Sequence, residues 1–348
     1  MKIVPDPVFS MPHSSPQLTA APMEGLTTVV FRRLHAEMFG AADRYYLPFV
    51  TPTVEPRFTA RQLRELAPRA NEGLAVIPQL LTRRSADFLW AARALADMGY
   101  PEVNLNLGCP AGTVVVKGKG SGFLGDAIAL REFFDDVFGQ DLPIAVSVKT
   151  RLGLRSPDEF AGIVELYNLY PIARLIVHPR IRSDFYKGDA RRSVLLSALP
   201  SIKAPLGVNG DIVTEGDIAA AGNAFAAAPG GLAEIMIGRA LMADPALLRK
   251  ARGGPAASRG EIRSFHHALF DAYTTLFESR KNAMMRLKEY WFYQSCLFGA
   301  DDELEKLHRA MKAVNRTREP AEFNARIEDL IESFTLLQHA RFGWRKPL

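Results

Sequence analysis

Short apolar runs alternate along most of the chain with segments in which apolar residues recur at helical spacing. Runs of this length are typical of buried strands, and the segments that follow them are typical of amphipathic helices. The predicted strands are residues 18–21, 45–50, 75–80, 102–107, 144–149, 174–178, 206–209 and 234–237. The predicted helices are residues 29–38, 85–98, 127–138, 157–169, 194–198, 215–221 and 245–250. This alternation predicts an α/β fold, a closed (β/α)8 TIM barrel of parallel strands.

The pattern changes after the last of these units. Residues 252–260 have the Gly, Pro and Ala content of a linker, and every periodic segment beyond them is helical: residues 261–280, 282–298, 302–315 and 322–339. We predict a Pro-rich lead-in over residues 1–16, a barrel domain over 17–252 and a small all-helical C-terminal domain over 261–348. A doubly wound open sheet is the alternative for the barrel, but residues 21–25 lack the Gly-rich fingerprint that usually follows its first strand.

Composition limits the class of protein and the compartment in which we expect it. The chain has 348 residues, of which 48% are hydrophobic and 23% are charged, as is ordinary for a globular protein. Its two cysteines do not make a disulfide framework, and the sequence has neither a signal-peptide pattern nor an apolar run long enough to span a bilayer. We therefore expect a cytoplasmic protein without a membrane partner. The net charge of +5 permits a polyanionic partner without requiring one.

One cysteine lies at the carboxyl end of a predicted strand, where the reactive groups of a TIM barrel are found. The fourth predicted strand, residues 102–107, runs into Gly108, Cys109 and Pro110, and proline cannot continue a strand. Cys109 is therefore expected on a turn at the carboxyl end of a strand, followed by a Gly- and Lys-rich loop over residues 113–122. From this turn alone, a buried structural cysteine is an equally good interpretation.

Polar residues at other strand ends favour a functional site, because the reactive groups of a TIM barrel lie at the carboxyl ends of its strands. Asn209-Gly210 and Gly238-Arg239, after the seventh and eighth strands, have the residue types of a phosphate site. Lys149 is a cation suited to negative charge on a reduced ring, and Gln79 can both donate and accept a hydrogen bond. This set fits flavin mononucleotide (FMN) better than a sugar phosphate. No His or Cys pair has the spacing of metal ligands, so we expect no metal.

Taken together, these segments resemble the tRNA-dihydrouridine synthases. The resemblance covers residues 18–240 in the order and spacing of the family, and the helical segment 286–291 also resembles the family's tRNA-binding domain. The matching motifs are 21–25 (Ala-Pro-Met-Glu-Gly), 104–110 (Asn-Leu-Asn-Leu-Gly-Cys-Pro), 120–124 (Gly-Ser-Gly-Phe-Leu), 147–153 (Ser-Val-Lys-Thr-Arg-Leu-Gly), 178–180 (His-Pro-Arg), 209–212 (Asn-Gly-Asp-Ile) and 237–239 (Ile-Gly-Arg). One departure is Pro179, where many members have Gly.

The resemblance implies a role for each matching position. Cys109 would be the catalytic proton donor. The implied cofactor-binding residues are Pro22, Met23, Glu24, Gln79, Lys149, His178, Asn209, Gly210, Asp211, Gly238 and Arg239. The implied substrate-binding residues are Asn106 and Arg180 in the barrel, and Arg286 and Lys288 in the helical domain.

The implied reaction is reduction of the C5–C6 double bond of a specific uridine in tRNA, with FMN as cofactor and NADPH or NADH as hydride donor. We expect a monomer with tRNA as its partner, and Arg280, Lys281, Arg286 and Lys288 cluster within a few helical turns as a candidate tRNA contact. Two alternatives stay open. One is an FMN barrel acting on a free pyrimidine, such as a dihydroorotate or dihydropyrimidine dehydrogenase, and the other is a non-catalytic RNA-binding barrel.

Overall fold

The strands of the barrel are short and parallel. The computed structural model describes residues 15–340. Within them, the strands are β1 (Gln17–Ala20), β2 (Arg44–Tyr46), β3 (Val76–Ile77), β4 (Gln79–Leu80), β5 (Glu102–Leu107), β6 (Ala145–Gly153), β7 (Leu175–Ile181), β8 (Leu206–Asn209) and β9 (Leu232–Ile237). They form one sheet in the order β3-β2-β1-β9-β8-β7-β6-β5-β4, with parallel pairing throughout.

The two edges of this sheet meet at Pro78. β3 pairs with β2, and β4 pairs with β5, although only Pro78 separates β3 from β4 in sequence. Proline has no amide N–H to donate, but its carbonyl accepts a hydrogen bond from Asn104 N at 2.9 Å. β3 and β4 therefore act as one interrupted strand that closes the sheet, so the predicted eight-stranded TIM barrel is confirmed.

Helices surround the barrel and follow it. Those within the barrel region are α1 (Val29–Phe39), α2 (Ala60–Leu66), α3 (Ser85–Asp97), α4 (Gly112–Val115), α5 (Ala127–Phe138), α6 (Glu159–Tyr167), α7 (Arg192–Ala198), α8 (Glu215–Ala224), α9 (Arg239–Ala243) and α10 (Leu247–Ala251). Those beyond it are α11 (Arg259–Phe277), α12 (Arg280–Gln294), α13 (Leu304–Arg316) and α14 (Pro320–Ser333). Within residues 15–340, none of the helices has the length and apolarity to cross a membrane.

The helical region after the barrel is present as predicted, but three of its helices end early. The predicted helix 261–280 ends at Phe277, and the predicted helix 282–298 ends at Gln294. The last predicted helix, 322–339, ends at Ser333, and Leu336 beyond it forms an isolated bridge with Phe298. The N-terminal lead-in, except for residues 15 and 16, and the last eight residues of the predicted helical domain lie outside the described residues. The domain boundaries stay a prediction.

Apolar packing joins the helical region to the barrel. Phe265 of α11 packs edge-on against Phe31 and Phe39 of α1, with ring centroids 6.0 and 5.1 Å apart. Phe31 also stacks on Tyr290 of α12 at 5.9 Å. All four rings are at least 98% buried, so their apolar area contributes directly to holding the two regions together.

Candidate active site

A cavity opens at the carboxyl ends of β1 and β6 to β9. Its volume is about 590 Å³ when the open solvent at its mouth is included. Nine of the predicted cofactor-binding residues line it: Pro22, Met23, Lys149, His178, Asn209, Gly210, Asp211, Gly238 and Arg239. It is also lined by six residues without a role predicted from the sequence: Ala21, Tyr186, Ile212, Val213, Met236 and Ala240. The cavity combines an apolar wall with a cationic one, as ligand sites in proteins commonly do.

The β8 turn shapes one wall of the cavity. The Asn209 side-chain amide donates to Met236 O at 2.7 Å, and its Oδ1 accepts a hydrogen bond from Lys149 Nζ at 3.1 Å. Gly210 has a φ of +104°, and a Cβ there would lie 2.7 Å from Cδ2 of His178. Only glycine fits both the backbone conformation and the space, so the backbone remains bare where a ligand approaches.

Several arginines on this wall contact Asp211. Its carboxylate accepts hydrogen bonds from Arg180 at 2.5 Å and from the Ala190 amide at 2.8 Å, and Arg239 lies 3.4 Å from it. Arg192 donates to the Asp211 carbonyl at 2.8 Å. One carboxylate thus faces two guanidinium groups, and the wall keeps an excess of positive charge that suits an anion.

His178 is neutral in this setting. Burial, together with the cations Arg151, Lys149 and Arg180, holds the pKa of His178 well below its usual value. Its Nε2 lies 2.9 Å from Nη1 of Arg180. Because a guanidinium can only donate, Nε2 accepts, and the single ring proton is on Nδ1. The ring therefore offers one hydrogen-bond donor beside the cavity and no charge.

Lys149 is a cation with a lowered pKa. Burial, together with the Arg151 guanidinium nearby, lowers its pKa to about 8. The ammonium group stands on β6 and lines the cavity. An anionic ligand there would restore the proton, so binding of an anion and protonation of Lys149 are coupled.

Cys109 lies on its turn because a chain of side-chain amides fixes the turn. Asn106 Oδ1 accepts hydrogen bonds from the backbone N–H groups of Gly108 and Cys109, at 3.0 and 2.9 Å. Asn106 Nδ2 donates to Gln79 at 2.7 Å, and Gln79 donates to Asn104 at 2.7 Å. Gln79 and Asn106, both predicted to touch ligands, do not line the cavity but hold the turn that carries Cys109.

Arg151, which lies in the matching motif 147–153, is a positioning residue. It is 1% exposed, and its guanidinium donates to the carbonyls of Gly108, Ile181 and Phe185 at 2.9, 2.9 and 2.7 Å. These carbonyls belong to the Cys109 turn, the end of β7 and the loop beyond it. Arg151 thus ties together the backbone segments around the site, while its charge faces the ring of Tyr186 at 5.4 Å.

The loop after Cys109 is exposed or half-buried over residues 111–119, and its end, at Gly120 and Ser121, is buried against the Cys109 turn. Both the backbone N–H and the hydroxyl of Ser121 donate to Cys109 O, at 3.1 and 2.9 Å. Gly120 has a φ of +57°, and a Cβ there would lie 2.8 Å from the same carbonyl. Two short helical turns, α4 and Gly120–Gly125, bring these groups back beneath the thiol.

The thiol of Cys109 is protonated at neutral pH. Burial raises its pKa above the ordinary value, against the lowering effect of Arg151 and Lys149. A protonated thiol can donate a proton, whereas a nucleophilic cysteine would need a lowered pKa. Cys109 is half-buried, so the proton can reach a substrate at the surface of the turn. This environment fits a general acid.

The remaining predicted residues lie outside the cavity lining. The Glu24 side chain is 56% exposed, and Arg61 lies 3.9 Å from its carboxylate. Arg180 is fully buried and donates hydrogen bonds to Asp211, His178 and backbone carbonyls. It therefore holds the cavity wall in place. Arg286 of α12 reaches the loop after β1, where a Cβ on Gly25 would meet its Nη1 at 2.2 Å. Lys288 donates instead to the carbonyls of Asn315 and Thr317.

The cavity fits a flavin phosphate by the chemistry of its groups. Gly210 provides bare backbone, and Arg239 and Lys149 provide charge for an anion. Pro22, Met23 and Met236 provide an apolar surface for a flat ring. In contrast, no group of three or more His, Cys, Asp or Glu side chains within residues 15–340 is placed to hold a metal ion.

Comparison with known proteins identifies a family. A family model described as dihydrouridine synthase matches residues 19–333, which include both the barrel and the helical region. The chain belongs to the dihydrouridine synthase family. The matched range contains every predicted site residue, from Pro22 to Lys288.

Individual relatives of this family member are moderately similar to it. A protein named "Probable tRNA-dihydrouridine synthase" from Staphylococcus epidermidis (strain ATCC 12228) is 28% identical over 269 residues, covering 74% of this chain and 79% of the relative. One of the same name from Rhodobacter capsulatus is 30% identical over 235 residues, covering 66% of this chain and 69% of the relative.

Proposed function

We propose that this protein is a tRNA-dihydrouridine synthase that reduces the C5–C6 double bond of a uridine in tRNA, with FMN as cofactor and NADPH or NADH as hydride donor. One observation carries the proposal: the family match spans the cavity, the Cys109 turn and the helical region together. A flavin barrel for free pyrimidines would account for the cavity and the cysteine but has no need of the helical region.

The cofactor would lie in the cavity at the strand ends. Asn209, Gly210 and Arg239 would hold its phosphate end, and Pro22 and Met23 would lie along its ring. The bound flavin would supply hydride transfer to C6 of the base, with NADPH or NADH as the source of the hydride. Lys149 Nζ would stabilise negative charge at the ring, and His178 would line the cavity as a neutral ring.

Cys109 would supply the proton that completes the reduction. Hydride addition at C6 leaves negative charge on the uracil at C5 and its conjugated carbonyl, and a proton at C5 gives the saturated ring. The Cys109 thiol is protonated at neutral pH and stands on a turn fixed by Asn106 and Arg151. The base must leave the RNA stack to reach this turn, as in other enzymes that act on nucleobases.

A basic groove on the helical region supports tRNA as the partner. It lies on α13 and α14 and is lined by Arg309, Lys312, Ala313, Arg316, Glu322 and Arg326. α12 links this groove to the barrel mouth, because Lys288 binds carbonyls at the end of α13 while Arg286 reaches Gly25. Cations arranged this way would follow an RNA backbone, with phosphate contacts setting most of the affinity.

Purified protein tests the proposal directly. The protein is incubated with NADPH and an unmodified tRNA transcript, and the tRNA is digested and mapped by mass spectrometry. We expect a gain of two mass units at one uridine and release of FMN when the protein is denatured. A colourless protein that does not bind added FMN, or a tRNA without any mass gain, would refute the assignment.

A further inference from the structure

The loop after β1 is held from outside the barrel. This loop, residues 22–28, contains Pro22 and Met23 of the cavity wall. Tyr290 of α12 donates its hydroxyl proton to Leu26 O, and its oxygen lies 2.9 Å from the hydroxyl of Tyr273 of α11. The Tyr273 hydroxyl lies 2.5 Å from Oγ1 of Thr28. Three hydroxyl groups thus connect the helical region to both halves of the loop.

The direction of these hydrogen bonds follows from proton counting. Tyr290 has one hydroxyl proton, which goes to the Leu26 carbonyl. Tyr273 must therefore donate to Tyr290, and Thr28 must donate to Tyr273. Burial holds the pKa of Tyr290 well above its ordinary value, so the proton stays in place across the working pH range. The three hydrogen bonds therefore run in one direction, from Thr28 through Tyr273 and Tyr290 to the backbone carbonyl of Leu26.

α12 reaches the opposite side of the cavity as well. Tyr293, one turn beyond Tyr290, is close enough to Arg239 for that cation to lower its pKa against the raising effect of burial. Arg286, one turn before Tyr290, stands against Gly25. Along α12, therefore, Arg286 and Tyr290 contact the loop after β1, and Tyr293 lies near Arg239 at the start of α9.

We propose that α12 is a structural part of the flavin site, with Tyr290 as a positioning residue that holds the loop after β1 in its ligand-binding form. Met23 connects the hydroxyl chain to the cavity, because its carbonyl accepts hydrogen bonds from the N–H groups of Leu26 and Thr27, at 3.0 and 3.1 Å. Movement of Leu26 thus shifts Met23 directly. The inference rests on the proposed function only for the identity of the ligand.

The test is flavin affinity measured on protein stripped of its cofactor. Tyr290→Phe keeps the ring and its stacking on Phe31 but removes the donor to Leu26. We expect FMN, titrated by quenching of its fluorescence, to bind roughly three- to tenfold more weakly, as loss of one buried hydrogen bond implies. Tyr273→Phe leaves the bond to Leu26 intact and should have a smaller effect. The KM for tRNA should be unchanged in both variants.

A matched control separates positioning from stability. Tyr170→Phe also removes a tyrosine hydroxyl donor, here to the exposed carboxylate of Asp135 at 2.7 Å, and Tyr170 does not line the cavity. If Tyr290→Phe and Tyr170→Phe lower the Tm but both bind FMN as the unaltered protein does, Tyr290 only stabilises the fold and the inference is overturned. If the unaltered protein binds no FMN, the proposed function is overturned before the variants are compared.

Discussion

The thiol of Cys109 is surrounded by groups that fix its backbone but do not take its proton. Asn106, Arg151 and Ser121 bind the backbone of the turn, at the amides of 108 and 109 and the carbonyls on either side. No general base is hydrogen-bonded to the sulfur among the described residues. The geometry therefore favours an acid over a nucleophile.

Replacement of Cys109 by Ala should separate the two halves of the reaction. FMN content and NADPH oxidation should stay at the level of the unaltered enzyme, because neither requires the acid. Formation of dihydrouridine should fall by about 10²–10⁴-fold, the usual effect of losing a general acid. Single-turnover assays on pre-reduced enzyme measure this step.

The control for this prediction is the second cysteine. Cys296 is buried in the helical region, and burial raises its pKa to about 12. Cys296→Ala should retain the full rate of tRNA reduction per folded molecule. If Cys109→Ala reduced tRNA as fast as the unaltered enzyme, the acid role would have to be abandoned.

Lys149 predicts a pH dependence of flavin binding. Its pKa is about 8 without ligand, and an anionic ligand raises that pKa, so the protonated form binds more tightly. FMN affinity should be constant below pH 8 and should fall by up to about tenfold per pH unit above it. Titrations between pH 7 and 9.5 measure the effect. Lys149→Arg, which stays charged, should give a flat profile, and an equally steep profile in that variant would count against Lys149.

At the scale of elements, the groove between α13 and α14 predicts the source of tRNA affinity. Arg316→Glu should weaken tRNA binding and reduce the slope of log affinity against log salt by about one for each lost phosphate contact. Flavin binding should not change, because the groove is separate from the cavity. Filter binding at several salt concentrations measures the tRNA affinity and its salt dependence.

A charge reversal elsewhere on the helical region is the control for Arg316→Glu. Arg263 of α11 already pairs with Glu328 and Glu332 and does not line the groove. Arg263→Glu should leave the salt dependence of tRNA binding near that of the unaltered protein. Equal losses in the two variants would mean that net charge, rather than the groove, sets the affinity.

The sequence predicted the elements better than their connections. Apolar periodicity placed β5, β8 and α5 at the observed residues, because buried strands and amphipathic helices leave local patterns. It missed the interruption at Pro78 and the end of the last helix at Ser333, where pairing with distant residues decides the conformation.

The same distinction applies to the site. Strand ends indicated Lys149, His178 and Arg239 as cavity residues, since the barrel brings all its strand ends to one face. Residue type alone did not reveal that Gln79 and Arg180 spend their hydrogen bonds on the protein itself. Tyr186 also escaped notice, because a single aromatic residue in a polar loop leaves no periodic signal.

At the scale of the whole molecule, the barrel and the helical region depend on one apolar contact surface. Removal of residues 256–348 would expose Phe31 and Phe39 of α1, which are each 1% exposed in the full chain. We expect residues 1–255 to be poorly soluble, to bind a hydrophobic dye and to melt at a lower temperature than the full chain. Dye fluorescence and thermal melting test this, and a truncated chain as stable as the full one would show that the barrel folds alone.

The hydroxyl chain from Tyr290 to the loop after β1 also has a consequence for how the enzyme is made. Residues 22–28 leave the ribosome early, whereas α12 is synthesised more than 250 residues later. The barrel strands can pair during synthesis, because domains generally begin to fold from the N-terminal end. The loop receives its last hydrogen bond only when α12 has emerged. A nascent chain stalled before residue 280 should therefore carry little cofactor, and loading should coincide with completion of the polypeptide.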